Sequence, residues 1–306
     1  MCYYEHRDTV PNSPKGGAAI LSQTIAICNG KGGTGKTPTA VHLAFASARR
    51  GHKVLLIDLD PQGSVSYHHL GLAYKKQQPT IYNALLNLSY VTPIAVRVSQ
   101  DPTSSFYTHY FSLLPAHDEL GNGEIEFTKN PSFLYQKQLN KLIRKQYADF
   151  DVIIIDTPGS HISIYPTMAL TAARKVIVPV KAELMSLEGT VDTMSLIRGV
   201  RDDLNPTLSL WGILPTQYES HIKHDQDVLK MMEEVTDPTD SQDHKKCPVY
   251  PYPSLKRSLY NDATGNRCDI RDLERKPELS LYWDRLSEAV LTQESVPVEM
   301  EPVTAE

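Results

Sequence analysis

Several things are scarce in this chain of 306 residues. It has four cysteines, Cys2, Cys28, Cys247 and Cys268, scattered and without a C-x-x-C pair. That points away from a disulfide framework and from a zinc or iron–sulfur site, and towards a reducing cytoplasm. No apolar run approaches the length needed to span a bilayer, and the N-terminus lacks a signal-peptide pattern. Positive charge is not in excess: the formal net charge is −5. A chain coated all over for nucleic acid is thereby excluded, and any DNA contact has to come from a local patch. What is present is an ordinary apolar fraction, 41%, enough for one large core.

The chemistry starts at Gly30-Lys31-Gly32-Gly33-Thr34-Gly35-Lys36-Thr37, which fits the phosphate-binding pattern G-x-x-x-x-G-K-[ST]. An apolar strand, Thr24 to Cys28, precedes it. A helical stretch through Arg50 follows, with Val41, Leu43, Ala44 and Ala48 for the core. Glycines let backbone N–H groups curl around a phosphate, and the helix N-terminus adds the positive end of its dipole. In such a loop Lys36 reaches the β- and γ-phosphates and the Thr37 hydroxyl binds Mg²⁺. A merely flexible glycine loop is the competing reading, and the strand–turn–helix context argues against it.

Two further stretches follow the same plan. After Lys53, the unbroken apolar run Val54-Leu55-Leu56-Ile57 suits a strand covered on both faces, and it ends in Asp58-Leu59-Asp60-Pro61-Gln62-Gly63. Carboxylates at the carboxyl end of a parallel strand sit where such sheets bind ligands. Val152 to Ile155 leads into Asp156-Thr157-Pro158-Gly159, a Walker B arrangement in which Asp156 binds Mg²⁺ through its water shell and residues 157–160 sense the γ-phosphate.

With its second lysine, K-G-G-T-G-K-T resembles the ParA/MinD family of deviant Walker A ATPases, most closely the ParA-type partition ATPases. D-x-D-P-Q-G continues the resemblance, which covers about residues 23–292. The resemblance implies that Lys31 acts across an ATP-sandwich dimer on the partner's nucleotide, that Asp60 orients the attacking water, and that Asp58 supports the Mg²⁺ shell. It implies catalytic roles for Lys31, Lys36 and Asp60. It also implies nucleotide contacts from Gly32, Gly33, Thr34, Gly35, Lys36, Thr37, Pro38, Thr216 and Pro253, with Thr216 in a purine-side loop. Metal-side groups would be Thr37, Asp58 and Asp156. Lys256 and Arg257 fall in the segment that resembles the family's DNA-contacting region, and a solvated surface pair is the equal alternative.

Two positions depart from the family. Pro38 stands where a second threonine is usual and offers the α-phosphate neither N–H nor hydroxyl. The loss is worth about 1.5–3 kcal/mol per charge-assisted bond. Gly159 stands where the family has proline, which loosens the switch.

The rest of the chain is read more coarsely. Expected helices cover 80–88, 131–147 and 279–291. In the second, Phe133, Leu139, Leu142 and Ile143 point inward. A long one carries Leu187, Val191, Met194, Ile197, Val200 and Leu204 as a core stripe. Strands are expected at 111–116, 175–180, 208–214 and 249–253, and loops at 121–130 and 237–247; residues 89–109 are uninformative.

The expected architecture is a single α/β domain, residues 23–292, with a mostly parallel twisted sheet and helices on both faces. Residues 1–22 form a tail too short for the helix-turn-helix that the family often carries. Residues 293–306 form an acidic disordered tail, the opposite of the basic amphipathic helix of the membrane-seeking branch. The expected function is a ParA-like ATPase with ATP and Mg²⁺ as cofactors, a homodimer with ATP on nonspecific DNA. It is expected to be cytoplasmic and nucleoid-associated, without a membrane partner. A ParB-like or adaptor protein stimulates its weak turnover, and the cargo is a plasmid or chromosome. The rivals are the same engine moving a protein compartment, a metal carrier or reductase of the superfamily, and a nucleotide-binding scaffold with little turnover.

Overall fold

The computed structural model describes residues 22–72, 78–98, 109–129, 134–160, 162–238, 245–250, 254, 256, 258–274 and 277–292. The expected tails, Phe133, Pro253 and Arg257 lie outside these residues.

Seven strands form one sheet: β1 (Gln23–Ile27), β2 (Val54–Asp58), β3 (Ile94–Val98), β4 (His109–Leu114), β5 (Val152–Asp156), β6 (Lys175–Lys181) and β7 (Ser209–Thr216), in the order β3-β4-β2-β5-β1-β6-β7. All neighbours are parallel except β3 with β4. The apolar runs of β2 and β5 are buried along their whole length, as a strand covered on both faces requires. Their side chains alternate between two apolar layers. Val54, Leu56, Val152 and Ile154 face the layer of α1 (Lys36–Arg49), α8 (Ser258–Asn266) and α9 (Glu278–Leu291). Leu55, Ile57, Ile153 and Ile155 face the opposite layer. There lie α2 (Ile81–Asn87), α3 (Glu119–Lys129), α4 (Gln138–Gln146), α5 (Ile164–Ala172), α6 (Leu184–Asp203) and α7 (Lys223–Met232). Each fully buried aliphatic side chain contributes roughly 1.5–3 kcal/mol relative to exposure.

The local signals explain most element ends. Gly35 caps α1 in the left-handed conformation, with φ 89°. Asn83 accepts the Thr80 backbone N–H at 2.8 Å at the start of α2. Ser163 accepts the Tyr165 N–H at 3.3 Å at the start of α5.

Several expectations need correction. Residues 119–129, expected mostly as loop, form α3: Leu120, Gly123 and Phe127 share its buried face. A Cβ at position 123 would lie 2.9 Å from Tyr165 Oη, so glycine there serves packing rather than a turn. The uninformative stretch contains β3. The helix expected from 131 begins as a helix at Gln138, after a single 3₁₀ turn over Tyr135–Lys137; Leu139, Leu142 and Ile143 are buried as expected. Val191 is not core: it is 62% exposed, and Leu184 and Met185 on the first turn of the same helix are exposed too. Of the strand expected at 249–253, Val249 makes a parallel bridge to Ile213, and residues 251–253 lie outside the described residues.

Candidate active site

The parallel strands β1, β2, β5 and β7 all end at one edge of the sheet, and the predicted chemistry gathers there. After β1, the Asn29 side chain donates to Pro179 O (2.9 Å) and accepts the Lys31 N–H (2.9 Å). Gly30 N–H donates to Thr193 Oγ1 on α6 at 3.1 Å. Gly33 and Gly35 both hold positive φ, 75° and 89°, conformations that a side chain would strain. Lys36 is buried, and its ammonium donates to Lys31 O at 2.8 Å. Burial lowers its pKa, and Asp156 pulls it back up. At Pro38 the missing N–H falls in the first turn of α1, where no intrahelical acceptor exists; Thr39 N–H makes the bond back to Gly35 O at 3.0 Å.

Asp58 and Asp156 stand side by side in register at the ends of β2 and β5. Both are fully buried. Asp58 is well held: Oδ2 accepts the Ser66 hydroxyl (2.8 Å) and N–H (3.0 Å), and Oδ1 accepts the Asp60 N–H (3.1 Å). Burial nevertheless pushes its pKa up to about 7. Asp156 accepts the Thr37 hydroxyl on Oδ2 at 2.8 Å, while its other oxygen, Oδ1, is buried without a partner. Burial first, then the neighbouring Asp58, raise its pKa well above the usual carboxylate range. A buried orphan carboxylate oxygen beside a threonine hydroxyl is a hard-oxygen donor set, and it fits Mg²⁺. Among the described residues no group of three or more His, Cys, Asp or Glu side chains is placed to hold a metal ion. A cation at Asp156 would therefore be completed by nucleotide oxygens and water.

Asp60 lies at the mouth. Its Oδ1 accepts the Gln62 N–H (3.0 Å) and its Oδ2 accepts the Ser64 hydroxyl (2.8 Å), so its carboxylate direction is set. The segment after Asp156 is tied back by Thr157 Oγ1 donating to Ile27 O at 2.8 Å. Gly159 touches the loop itself: a Cβ there would lie 2.9 Å from Gly32 Cα and 3.1 Å from Lys36 Nζ. Glycine at this position thus permits close contact between switch and phosphate loop.

Lys31 lies along α6, with its ammonium 3.4 Å from Ser186 Oγ and its stem beside Gly189. Thr216, at the end of β7, donates its hydroxyl to Thr34 O at 2.8 Å. Lys256 is drawn into an ion pair with Glu219, 2.7 Å. The chemistry-bearing residues that the sequence reading missed are Ser64, Ser66, Ser186 and Thr193. Each is a small polar group with no pattern of its own. For Ser64 and Ser66 the one available signal is their position just after the D-x-D-P-Q-G turn.

Comparison with known proteins agrees with this geometry. A family model described as an AAA domain matches residues 22–210. The chain is 35% identical over 204 residues to the chromosome partitioning protein ParA of Myxococcus xanthus, covering 67% of this chain and 68% of that one. It is 37% identical over 195 residues to the chromosome-partitioning ATPase Soj of Thermus thermophilus, covering 64% and 69%. Among solved structures, cobyrinic acid a,c-diamide synthase of Mycobacterium smegmatis, with bound ATP analog and magnesium, superposes with a TM-score of 0.70. It is 28% identical, over 92% of this chain and 100% of that one. No described helix is long and apolar enough to cross a membrane.

Proposed function

The chain belongs to the AAA-domain family of ParA- and Soj-like ATPases, and from that premise we propose that it hydrolyses ATP as a nucleotide-sandwich dimer, binds DNA without sequence preference as that dimer, and segregates or positions plasmid or chromosomal DNA with a ParB-like or adaptor partner. The observation that carries the nucleotide chemistry is the buried, unpartnered Oδ1 of Asp156 beside Thr37 and Lys36. A magnesium ion bound there with ATP would neutralise charge on the phosphates. Lys36 has only to leave the Lys31 carbonyl to meet a phosphate oxygen. Asp60, fixed by Ser64 and by the Gln62 N–H, is aimed to order a water. Lys31 has to leave Ser186 to serve a partner's nucleotide. The exposed apolar group Leu184, Met185 and Val191 on the same helix supports a face that a second subunit covers. For DNA, Lys256 with Arg257 remains the proposed patch. Its pairing with Glu219 means that Lys256 has to be exchanged from an acid to a phosphate.

The test is turnover of the purified full chain with ATP, Mg²⁺ and random duplex. Asp60→Ala is expected to keep ATP-dependent dimerisation, read by light scattering, and to lose turnover about 100-fold or more. Wild-type-like turnover removes Asp60 from the reaction. A chain that stays monomeric with ATP removes the sandwich.

A further inference from the structure

We propose that Thr216 and Gln217 are positioning residues that preset the phosphate loop by gripping two consecutive carbonyls from outside. The inference rests on the phosphate-binding reading above and assigns those two side chains a role towards the loop rather than towards the base.

Thr216 Oγ1 donates to Thr34 O at 2.8 Å, and Gln217 Nε2 donates to Gly33 O at 2.9 Å. The peptide bonds described here include no cis form. In a planar trans peptide the C=O and N–H point in opposite directions. A grip on Gly33 O therefore aims the Thr34 N–H the other way, and a grip on Thr34 O does the same for Gly35. Two successive N–H groups are turned towards the side where a phosphate would lie, which is the arrangement of an anion-binding nest.

The grip can outlast ligand binding. Lys31 O is also held, by Lys36 Nζ, but that ammonium has to move to a phosphate. Thr216 and Gln217 carry no charge that a phosphate would pull away. Their own support is firm. Thr216 O accepts the Ala182 N–H (3.1 Å), Pro215 O accepts the Ser254 N–H (2.8 Å), and Tyr218 N–H donates to Ser254 O (3.2 Å). Gln217 holds φ 54°, a left-handed conformation uncommon outside glycine. At Gly35 a Cβ would already lie 3.4 Å from three Thr216 side-chain atoms, so the loop and the end of β7 meet in contact. A glycine-rich loop free to wander would lose that freedom on binding; a loop gripped beforehand loses less.

A base-contacting role and a clamping role separate on a ligand without a base. Mg²⁺-ATP and Mg²⁺ with inorganic tripolyphosphate are titrated calorimetrically into full-length wild type, Thr216→Val, Thr216→Ser and Gln217→Ala, each checked for wild-type circular dichroism. Expected is a weakening of both ligands by the same factor, about fivefold, in Thr216→Val and in Gln217→Ala, as loss of one hydrogen bond predicts. Thr216→Ser, which keeps the hydroxyl, should stay within about twofold. Weakened ATP with unchanged tripolyphosphate overturns the clamp and assigns these residues to the base. Unchanged binding of both ligands in both variants overturns any role. If the wild type binds neither ligand, the phosphate site itself fails, and the clamp fails with it.

Discussion

The two ends of α1 treat buried charge in opposite ways. At its start, Lys36 and Thr37 face Asp156 and Asp58, two adjoining carboxylates of which one keeps an oxygen without a partner. At its finish, Arg49 is saturated: it pairs with the buried Asp269, and its Nε and Nη2 both reach Asp284 Oδ1, at 3.1 and 2.7 Å. Around the second site the packing is aromatic. His42 stacks on Trp283 at 5.3 Å between centroids, and Tyr260 and Tyr282 close the cluster. A charge left short of partners destabilises the empty protein and strengthens whatever cation completes it. A charge fully matched is spent on holding α1 against α9. One helix thus has a binding end and a bracing end.

Breaking the brace should have the largest effect. Arg49→Met leaves Asp269 buried and unpaired, and the expected loss is about 3–5 kcal/mol in urea unfolding. The double change Arg49→Met with Asp269→Leu is expected to recover much of it. A single variant within about 0.5 kcal/mol of wild type would mean that the bracing end is not electrostatic.

At the binding end the same operation should run the other way. Asp156→Asn removes a charge that faces Asp58, so the ligand-free protein is expected to be at least as stable as wild type. Turnover should fall about 100-fold, and thermal stabilisation by ATP with Mg²⁺ should vanish, as it should in wild type when a chelator removes the metal. A destabilised ligand-free variant would contradict the contrast.

The smallest effect sharpens the comparison by pH. Burial first, then the electrostatic influence of His69 and Arg49, lowers the His42 pKa to about 3. An unfolded histidine titrates near 6.5. Below that pH the unfolded chain takes up a proton that the folded one refuses. The stabilisation is therefore complete above about pH 6.5 and is lost at about 1.4 kcal/mol per pH unit on the way down to about 3. His42→Gln is expected to flatten that slope between pH 6.5 and 4.5, read from denaturant midpoints. An unchanged slope would remove His42 as its source.

The binding end was largely readable in the residues and the bracing end was not. Continuous apolar strands ending in Asp58 and Asp156, and a glycine loop between strand and helix, are local patterns, and they placed β1, α1, β2 and β5. Arg49, Asp269 and Asp284 meet across more than two hundred positions, and no local pattern marks such a meeting. The misread elements have local causes as well. Gly123 disguised α3, because packing against Tyr165 demands a small residue where a turn would also want one. Val191 falls on the apolar period of α6, yet that turn is exposed. The Gln217 grip depends on a left-handed backbone that nothing in Thr216-Gln217-Tyr218 announces.

The order of strands also sets the timing of assembly. β1 and β2 are neighbours along the chain but not in the sheet, for β5 lies between them and pairs with both. As the chain leaves the ribosome, the phosphate loop and the Asp58 turn emerge on two apolar strands that have no shared seam. Nothing closes that seam until Val152–Asp156 follows, and α9, which packs on α1, comes later still. Such non-local closure is slow and leaves apolar edges open meanwhile. The phosphate loop and the Asp58 turn are therefore joined in one sheet only after β5 has been made.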